Sequence, residues 1–302
     1  MLLQPIKPPA PARLGFVPPL LPTLVDTPPA GDAWLHEIKH DGYRTQLLIA
    51  DGGARLFTRN GHDWTDKYRP IAAAAHSLGC RDALIDGEMI VQDEYGRSDY
   101  DAFRAALSRD PGALVFYAFD LLATGGEDIR RCPIEERRNR LCSLIGEHDP
   151  AFPIQFSEAL AGDARQMLVA ACEMGLEGIV SKRLGSRYVS GRSTAWLKTK
   201  CYDEGEFVVL GAEHEPGKPA FALLARETDG ALEYAGSAFV TLGGAERDHF
   251  WNEIERLGTS APAIAMERKK ARRWAKPELR ARVQHLKGGG MLRHATVREI
   301  VA

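Results

Sequence analysis

The apolar residues of this chain fall in short runs broken by glycine and proline, and the texture of those runs changes near residue 202. That change is the strongest constraint on the fold, because it divides 302 residues into two stretches that need separate cores. Before it, strand-like and helical runs alternate. Residues 34–50 read as strand, interrupted by a turn at His40-Asp41-Gly42, and 55–58 as a further short strand. Residues 83–85 and 89–91 flank Asp86-Gly87-Glu88, where the glycine predicts a kink or a close backbone approach. Residues 114–122 read as a buried strand, and 179–181 and 196–198 as short strands. Helices are predicted over 66–78, 134–145 and 163–174. After the change, 206–210, 221–225 and 232–240 are short β runs followed by one helix over 244–257, a pattern that suits a small β-barrel. Nine prolines within the first 29 residues forbid a long helix there and favour an extended arm over the first domain. The expectation is an α+β chain of two domains, 1–202 and 203–302.

Charge sharpens that division. Residues 203–267 carry 4 Lys/Arg against 13 Asp/Glu, net −9, whereas 268–298 carry 11 against the single acid Glu278, net +10. A basic stretch of this kind either grips phosphate or pairs with the acidic part of its own domain, and charge alone does not choose between the two. The five cysteines include no C-x-x-C pair, so small buried thiols in a reducing compartment are expected rather than a disulfide framework or a zinc ribbon. No apolar run approaches the roughly 18 residues of a membrane span, and no apolar stretch follows a basic cluster at the start. A cytoplasmic protein is expected.

Two motifs invite a wrong turn. His36-Glu37-Ile38-Lys39-His40 fits the H-E-x-x-H zinc pattern, which works only on a helix. Its flanks alternate like a strand, where residues four apart lie about 13 Å from each other, beyond the reach of one zinc ion. No G-x-x-x-x-G-K-[ST] loop is present, so P-loop nucleotide chemistry is excluded.

The informative segment is Lys39-His40-Asp41-Gly42-Tyr43-Arg44, a K-x-D-G-x-R sequence. By itself it also describes a charged surface hairpin with an Asp-Gly turn. Four later segments alter that reading: Arg59-Asn60-Gly61, Asp86-Gly87-Glu88, Glu177-Gly178-Ile179-Val180-Ser181-Lys182-Arg183 and Trp196-Leu197-Lys198-Thr199-Lys200. In order and spacing these resemble the covalent nucleotidyltransferases: DNA ligases, RNA ligases and mRNA-capping enzymes. The wording WLHEIKHDGYR, ALIDGEMIV, FYAFDLL, EGIVSKR and WLKTK is most similar to the ligase domain of bacterial end-joining ligase D, an ATP-dependent DNA ligase. The resemblance covers nearly the whole chain.

The chemistry explains the residue types. A lysine amine can attack the α-phosphorus of ATP and hold AMP as a phosphoramidate, which divides a difficult joining reaction into easier steps. Only about one lysine in 10³ is neutral at pH 7, so the site should lower the amine's pKa, through a metal ion and nearby cations. Lys198 and Lys200, two apart on a strand, present both ammonium groups on one face.

The resemblance implies the roles. Lys39 is the nucleophile. Glu37, with its neighbour Ile38, lies where the family holds the adenine edge, partly through backbone. Arg44 and Arg59 contact ribose and the phosphate of AMP or of the DNA end, and Glu88 the ribose. Phe119 stacks on adenine, with plain core packing as the alternative, and Ile179 presses the other face. Lys182, Lys198 and Lys200 neutralise phosphates. Glu177, with Asp41 or Glu88, binds Mg²⁺ or Mn²⁺. The fold implied is an adenylyltransferase domain of antiparallel sheets with flanking helices, then a mobile OB-fold. In the basic stretch, Arg272, Arg273, Arg293 and Arg298 would face nicked or broken duplex DNA. End joining would bring Ku as a partner, and a monomer is the simplest state. Two departures weaken the first step: Tyr234-Ala235-Gly236-Ser237-Ala238-Phe239 lacks the family's lysine, and Leu292-Arg293-His294-Ala295-Thr296-Val297-Arg298 lacks its proline and aromatic. An RNA ligase, a capping-type enzyme and a non-catalytic DNA-end-binding module are the alternatives.

Overall fold

The computed structural model describes residues 15–146, 149, 151–160, 162–265, 272–287 and 290–301. It divides into two compact units, Met1–Lys200 and Cys201–Ala302.

Two sheets build the first unit. One has five strands in the order Leu20–Leu24, Gly191–Lys200, Gly178–Arg183, Trp34–Ile38, Ala159–Leu160. The other runs Gly53–Thr58, Tyr43–Ala50, Ala83–Val91, Leu114–Thr124, Glu127–Asp128, with Ile154–Phe156 beside Leu114–Thr124. The K-x-D-G-x-R segment is therefore no hairpin. The strand before it belongs to one sheet and the strand after it to the other, so His40-Asp41-Gly42 carries the chain between sheets. Gly42 is required there, because a Cβ would lie 2.0 Å from the Met89 carbonyl oxygen.

The proline-rich start is more than a covering. Residues 1–14 lie outside the described residues, but Leu20–Leu24 pairs in parallel with Gly191–Lys200. Gln46 fastens Val17 on both sides, accepting from its N–H at 3.0 Å and donating to its carbonyl at 2.7 Å.

The helices Ile134–Ile145 and Ala164–Glu173 occupy the expected places, and Asp163 caps the second by accepting from the Arg165 and Gln166 N–H groups. The run 66–78 is not one helix. It breaks into Thr65–Lys67, Arg69–Ala74 and Ala75–Leu78, only the middle piece being α-helical, with Pro70 unable to continue a preceding helix. The helix Tyr100–Arg109 was not expected. Asp99 caps it by accepting from the Ala102 N–H, and its Phe103 and Ala106 reach the core.

In the second unit Tyr202–Glu213, Phe221–Thr228, Ala231–Val240, Thr296–Val301 and Arg280–Leu286 pair in a ring, because Tyr202–Glu213 bonds both Phe221–Thr228 and Arg280–Leu286. The helix Gly244–Arg256 joins the third strand to the rest. This five-stranded closed barrel removes free edges, and Phe207, Val209, Leu224, Phe250 and Val283 fill its core. Not every cysteine is the thiol expected: Cys80, Cys132 and Cys142 are free, whereas Cys172 is disulfide-bonded.

Candidate active site

The antiparallel register of three strands explains how the motif residues meet. Val180 opposes Glu37 on one side and Lys198 on the other, and Lys182 opposes Leu35 and Trp196. Opposed residues share a face of a sheet and alternate residues return to it, so Glu37, Val180, Lys182, Trp196 and Lys198 belong to one surface. A cavity opens there, lined by Glu37, Ile38, Lys39, Arg44, Glu88, Phe119, Val180, Lys182 and Trp196, with Pro22 and His40. The same register corrects one expectation. Ile179 faces the reverse side, is fully buried and does not line the cavity; Val180 does, because one step along a strand changes the face.

Lys39 follows the end of its strand, and its N–H donates to the Gly178 carbonyl at 2.9 Å. Gly178 has φ +142°, and a Cβ there would lie 2.1 Å from the Thr199 carbonyl oxygen, so no other residue fits. The Lys39 ammonium is ion-paired with Glu177 Oε2, and Lys200 Nζ holds the other oxygen at 2.8 Å. The expected lowering of the Lys39 pKa is reversed in this state. Burial acts to lower it, but Glu177, Glu88 and Asp41 together hold the amine above its ordinary value. Glu177 lies below the usual carboxylate range, against its burial, because Lys39 and Lys200 face it.

Lys198 differs from its neighbours. It makes no ion pair among the described residues, and burial together with Lys39 and Lys200 lowers its pKa. An uncompensated ammonium beside two others is a place for an anion. Lys182 is not free in that way. Its ammonium is buried, 2.6 Å from Glu37 Oε1, donates to the Phe119 carbonyl at 3.0 Å, and is lowered to about 8 by burial.

The Glu37 carboxylate is likewise committed. It takes Arg138 Nη1 at 2.5 Å, Lys182 and the Ser157 hydroxyl at 3.2 Å, and its backbone lies in the sheet between Val180 and Ala159. Phe119 packs with Leu20, Leu48 and Trp196 in the core and also lines the cavity. One contact on its ring is the Arg44 guanidinium, 4.4 Å from the centroid.

Glu88 opposes Arg44 across the strands. Burial and the charges of Glu177 and Asp41 push its carboxyl up to about 7, against the pull of Lys39 and Arg44. Arg59 stands in a second cleft with Thr58, Asn60, His62 and Trp64, and Arg44 and Glu88 line both spaces. Asp41 acts on Lys39 and Glu88 through its charge, and its N–H donates to Ser98 Oγ at 3.2 Å. Among the described residues, Glu177, Glu88 and Asp41 do not form a ready metal cage. The two histidines of the H-E-x-x-H run have other partners: His36 bonds Ser181 Oγ at 2.8 Å and His40 stacks on Tyr117.

In the barrel unit, the side chain of Arg272 lies outside the described residues. Arg273 pairs with Glu255 at 3.1 Å, and Arg298 donates to Gln284 at 2.5 Å, while Arg293 is partly buried. Arg280 pairs with Glu227 and Arg282 with Glu299, so much of the basic stretch meets acids of its own unit.

Sequence reasoning missed Asp86, Tyr188 and Arg138, which hold the site from beneath. Asp86 lay inside a motif already read, but its role depends on Tyr188, about a hundred residues away.

The model of the ATP-dependent DNA ligase domain matches residues 26–200. The multifunctional non-homologous end joining protein LigD of Pseudomonas aeruginosa is 36% identical over 93% of this chain, which spans 35% of that protein. The solved ligase domain of Mycobacterium tuberculosis LigD superposes with TM-score 0.56 at 27% identity, covering 94% of each chain. A mycobacterial DNA ligase D complexed with ATP and MES gives 0.55 at 27%, over 93% of this chain and 95% of the other. With a nucleotidyltransferase fold followed by an OB-fold, the chain belongs to the ATP-dependent DNA ligase domain family.

Proposed function

We propose that this chain seals 5′-phosphate/3′-hydroxyl breaks in duplex DNA through a covalent AMP on Lys39, the unit ending at Lys200 serving as adenylation domain and the barrel as DNA clamp. The observation that carries the reading is the placement of Lys39, in the lining of the cavity, touching one carboxylate and beside the unpaired Lys198. The Lys39 nitrogen forms a bond to the α-phosphorus of ATP, the bond to pyrophosphate breaks, and the proton passes to a base, for which Glu177 is in contact. Transfer of AMP to the 5′-phosphate gives an adenylated end, and the 3′-hydroxyl displaces AMP. Lys198 and Lys200 stabilise the phosphate charge that builds up in each step.

Mg²⁺ fits the donor set. It takes one or two carboxylates plus substrate phosphates rather than an all-protein cage, and Glu177, with Glu88 and Asp41, supplies hard oxygen donors. Once Lys39 carries AMP it has no ammonium to oppose a cation on Glu177. The metal, Mn²⁺ included, would neutralise nucleotide phosphate charge.

The name of the Pseudomonas aeruginosa relative, an end joining protein, supports reading the reaction as part of end joining, where Ku would be the partner that brings ends together. Among the described residues no helix is long and apolar enough to cross a membrane; work on DNA in the cytoplasm is part of the reading proposed here.

The test is incubation with α-labelled ATP and Mg²⁺, beside Lys39→Ala, then a denaturing gel and a chase with nicked duplex. Label that survives denaturation, requires Lys39 and is discharged with sealing is the expected result. Label that moves only to RNA ends would overturn the DNA assignment, and no label from ATP or GTP would leave a binding module.

A further inference from the structure

Arg44 lines both the nucleotide cavity and the second cleft, yet most of its guanidinium is already engaged. Its Nε donates to Asp86 Oδ1 and its Nη2 to Asp86 Oδ2, each at 2.7 Å, and Nη2 also reaches the Leu20 carbonyl at 3.3 Å. Asp86 has no exposure, so this clamp is dry. The remaining acceptor capacity of Asp86 Oδ2 is used by the Tyr188 hydroxyl at 2.5 Å, and that hydroxyl accepts the Leu20 N–H at 3.0 Å. The four groups close a ring: Leu20 N–H to Tyr188, Tyr188 to Asp86, Asp86 to Arg44, and Arg44 back to Leu20. Nη1 is left without a protein acceptor among the described residues.

We infer that Tyr188 is a positioning residue for the joining reaction, holding Arg44 through Asp86 and the Leu20 backbone so that Nη1 is offered to a phosphate oxygen. A guanidinium gripped on one edge has lost its rotational freedom before any ligand arrives, and pre-set geometry lowers the barrier of the steps that use it. Burial and the neighbouring Asp86 raise the pKa of Tyr188, so it remains a donor through the working range. The inference also gives the proline-rich start a task, since Leu20 supplies both its N–H and its carbonyl to the ring. It rests on the ligase reading proposed above and on the phosphate contact that the resemblance implies for Arg44.

The test is a double-variant cycle on the full chain, with adenylation and nick sealing measured separately for Tyr188→Phe, Arg44→Lys and the pair together. Phenylalanine keeps the ring packed edge-on against Trp196 and removes only the oxygen. Tyr188→Phe is expected to slow sealing about tenfold or more, and the double variant to be no slower than Arg44→Lys alone, because both act through one guanidinium. Asp86→Asn should show the same non-additivity and provides a second route if the phenylalanine enzyme folds poorly. Penalties that multiply, or an unimpaired Tyr188→Phe beside an impaired Arg44→Lys, would overturn the inference and leave the ligase reading standing. A fully active Arg44→Lys would remove the role given to Arg44, and this inference with it.

Discussion

In the unit ending at Lys200, the charged pairs around the cavity are buried. Arg137 and Asp120 face each other through two bonds of 2.8 Å with no exposure on either side chain, Arg138 and Glu37 are nearly as enclosed, and Arg44 is clamped on Asp86. In the barrel unit, Arg273, Arg280 and Arg282 hold Glu255, Glu227 and Glu299 at the surface, where 40–60% of each arginine side chain is exposed. Removing one partner of a buried pair costs about 3–5 kcal/mol, because a charge is left unpaired away from water, whereas an exposed pair contributes about 0–1 kcal/mol. The first arrangement fixes where reactive groups stand. The second keeps arginines solvated and ready to exchange a carboxylate for a phosphate at small cost.

The pair that tests this contrast most severely is Lys39–Glu177, buried yet necessarily transient. Glu177→Gln removes the carboxylate that holds Lys39 protonated, so the rise of the adenylation rate with pH, which follows the neutral amine, should begin at lower pH. The same change removes the proposed base and metal donor, and the rate at pH 8 should fall about a hundredfold, with little dependence on added Mg²⁺ remaining. A variant as fast as the parent would show that Glu177 only stores the lysine in its charged form.

A structural pair comes next. Asp120→Asn keeps the shape of the side chain but leaves Arg137 without its anion, and about 3–5 kcal/mol of unfolding free energy should be lost in urea titration. Arg282→Gln should cost less than about 1 kcal/mol in the same measurement. Equal losses would mean that depth does not separate the two units.

The sequence showed these two treatments of charge unequally. Motif order identified the lysines and carboxylates of the cavity, because their chemistry demands those residue types. It did not show that Ile134–Ile145 turns two arginines inward. Arg137 and Arg138 stand three and four residues from Ile134, on the face shared with Leu141. Their partners, Asp120 and Glu37, lie 17 and 101 positions away, and no local pattern reports a pairing at that distance. Register was the other limit. Ile179 and Val180 are equally apolar, and only the pairing of Val180 with Glu37 and Lys198 decides which one faces the cavity. In the barrel, charge asymmetry was plain from the sequence, but whether the basic stretch meets acids or DNA was not.

The smallest expected effect decides that last point. Neutralising Arg273 and Arg282 together breaks two exposed pairs, so stability should change by less than about 1 kcal/mol for each. If the same arginines exchange Glu255 and Glu299 for DNA phosphates, each lost contact removes released counterions, and the slope of log affinity against log salt on nicked duplex should flatten by about 0.9 per phosphate contact. A flatter slope with unchanged stability would mark a surface whose internal pairs are placeholders for DNA. An unchanged slope would mean that these arginines serve only the acids of their own barrel, and the clamp would have to be sought on another face.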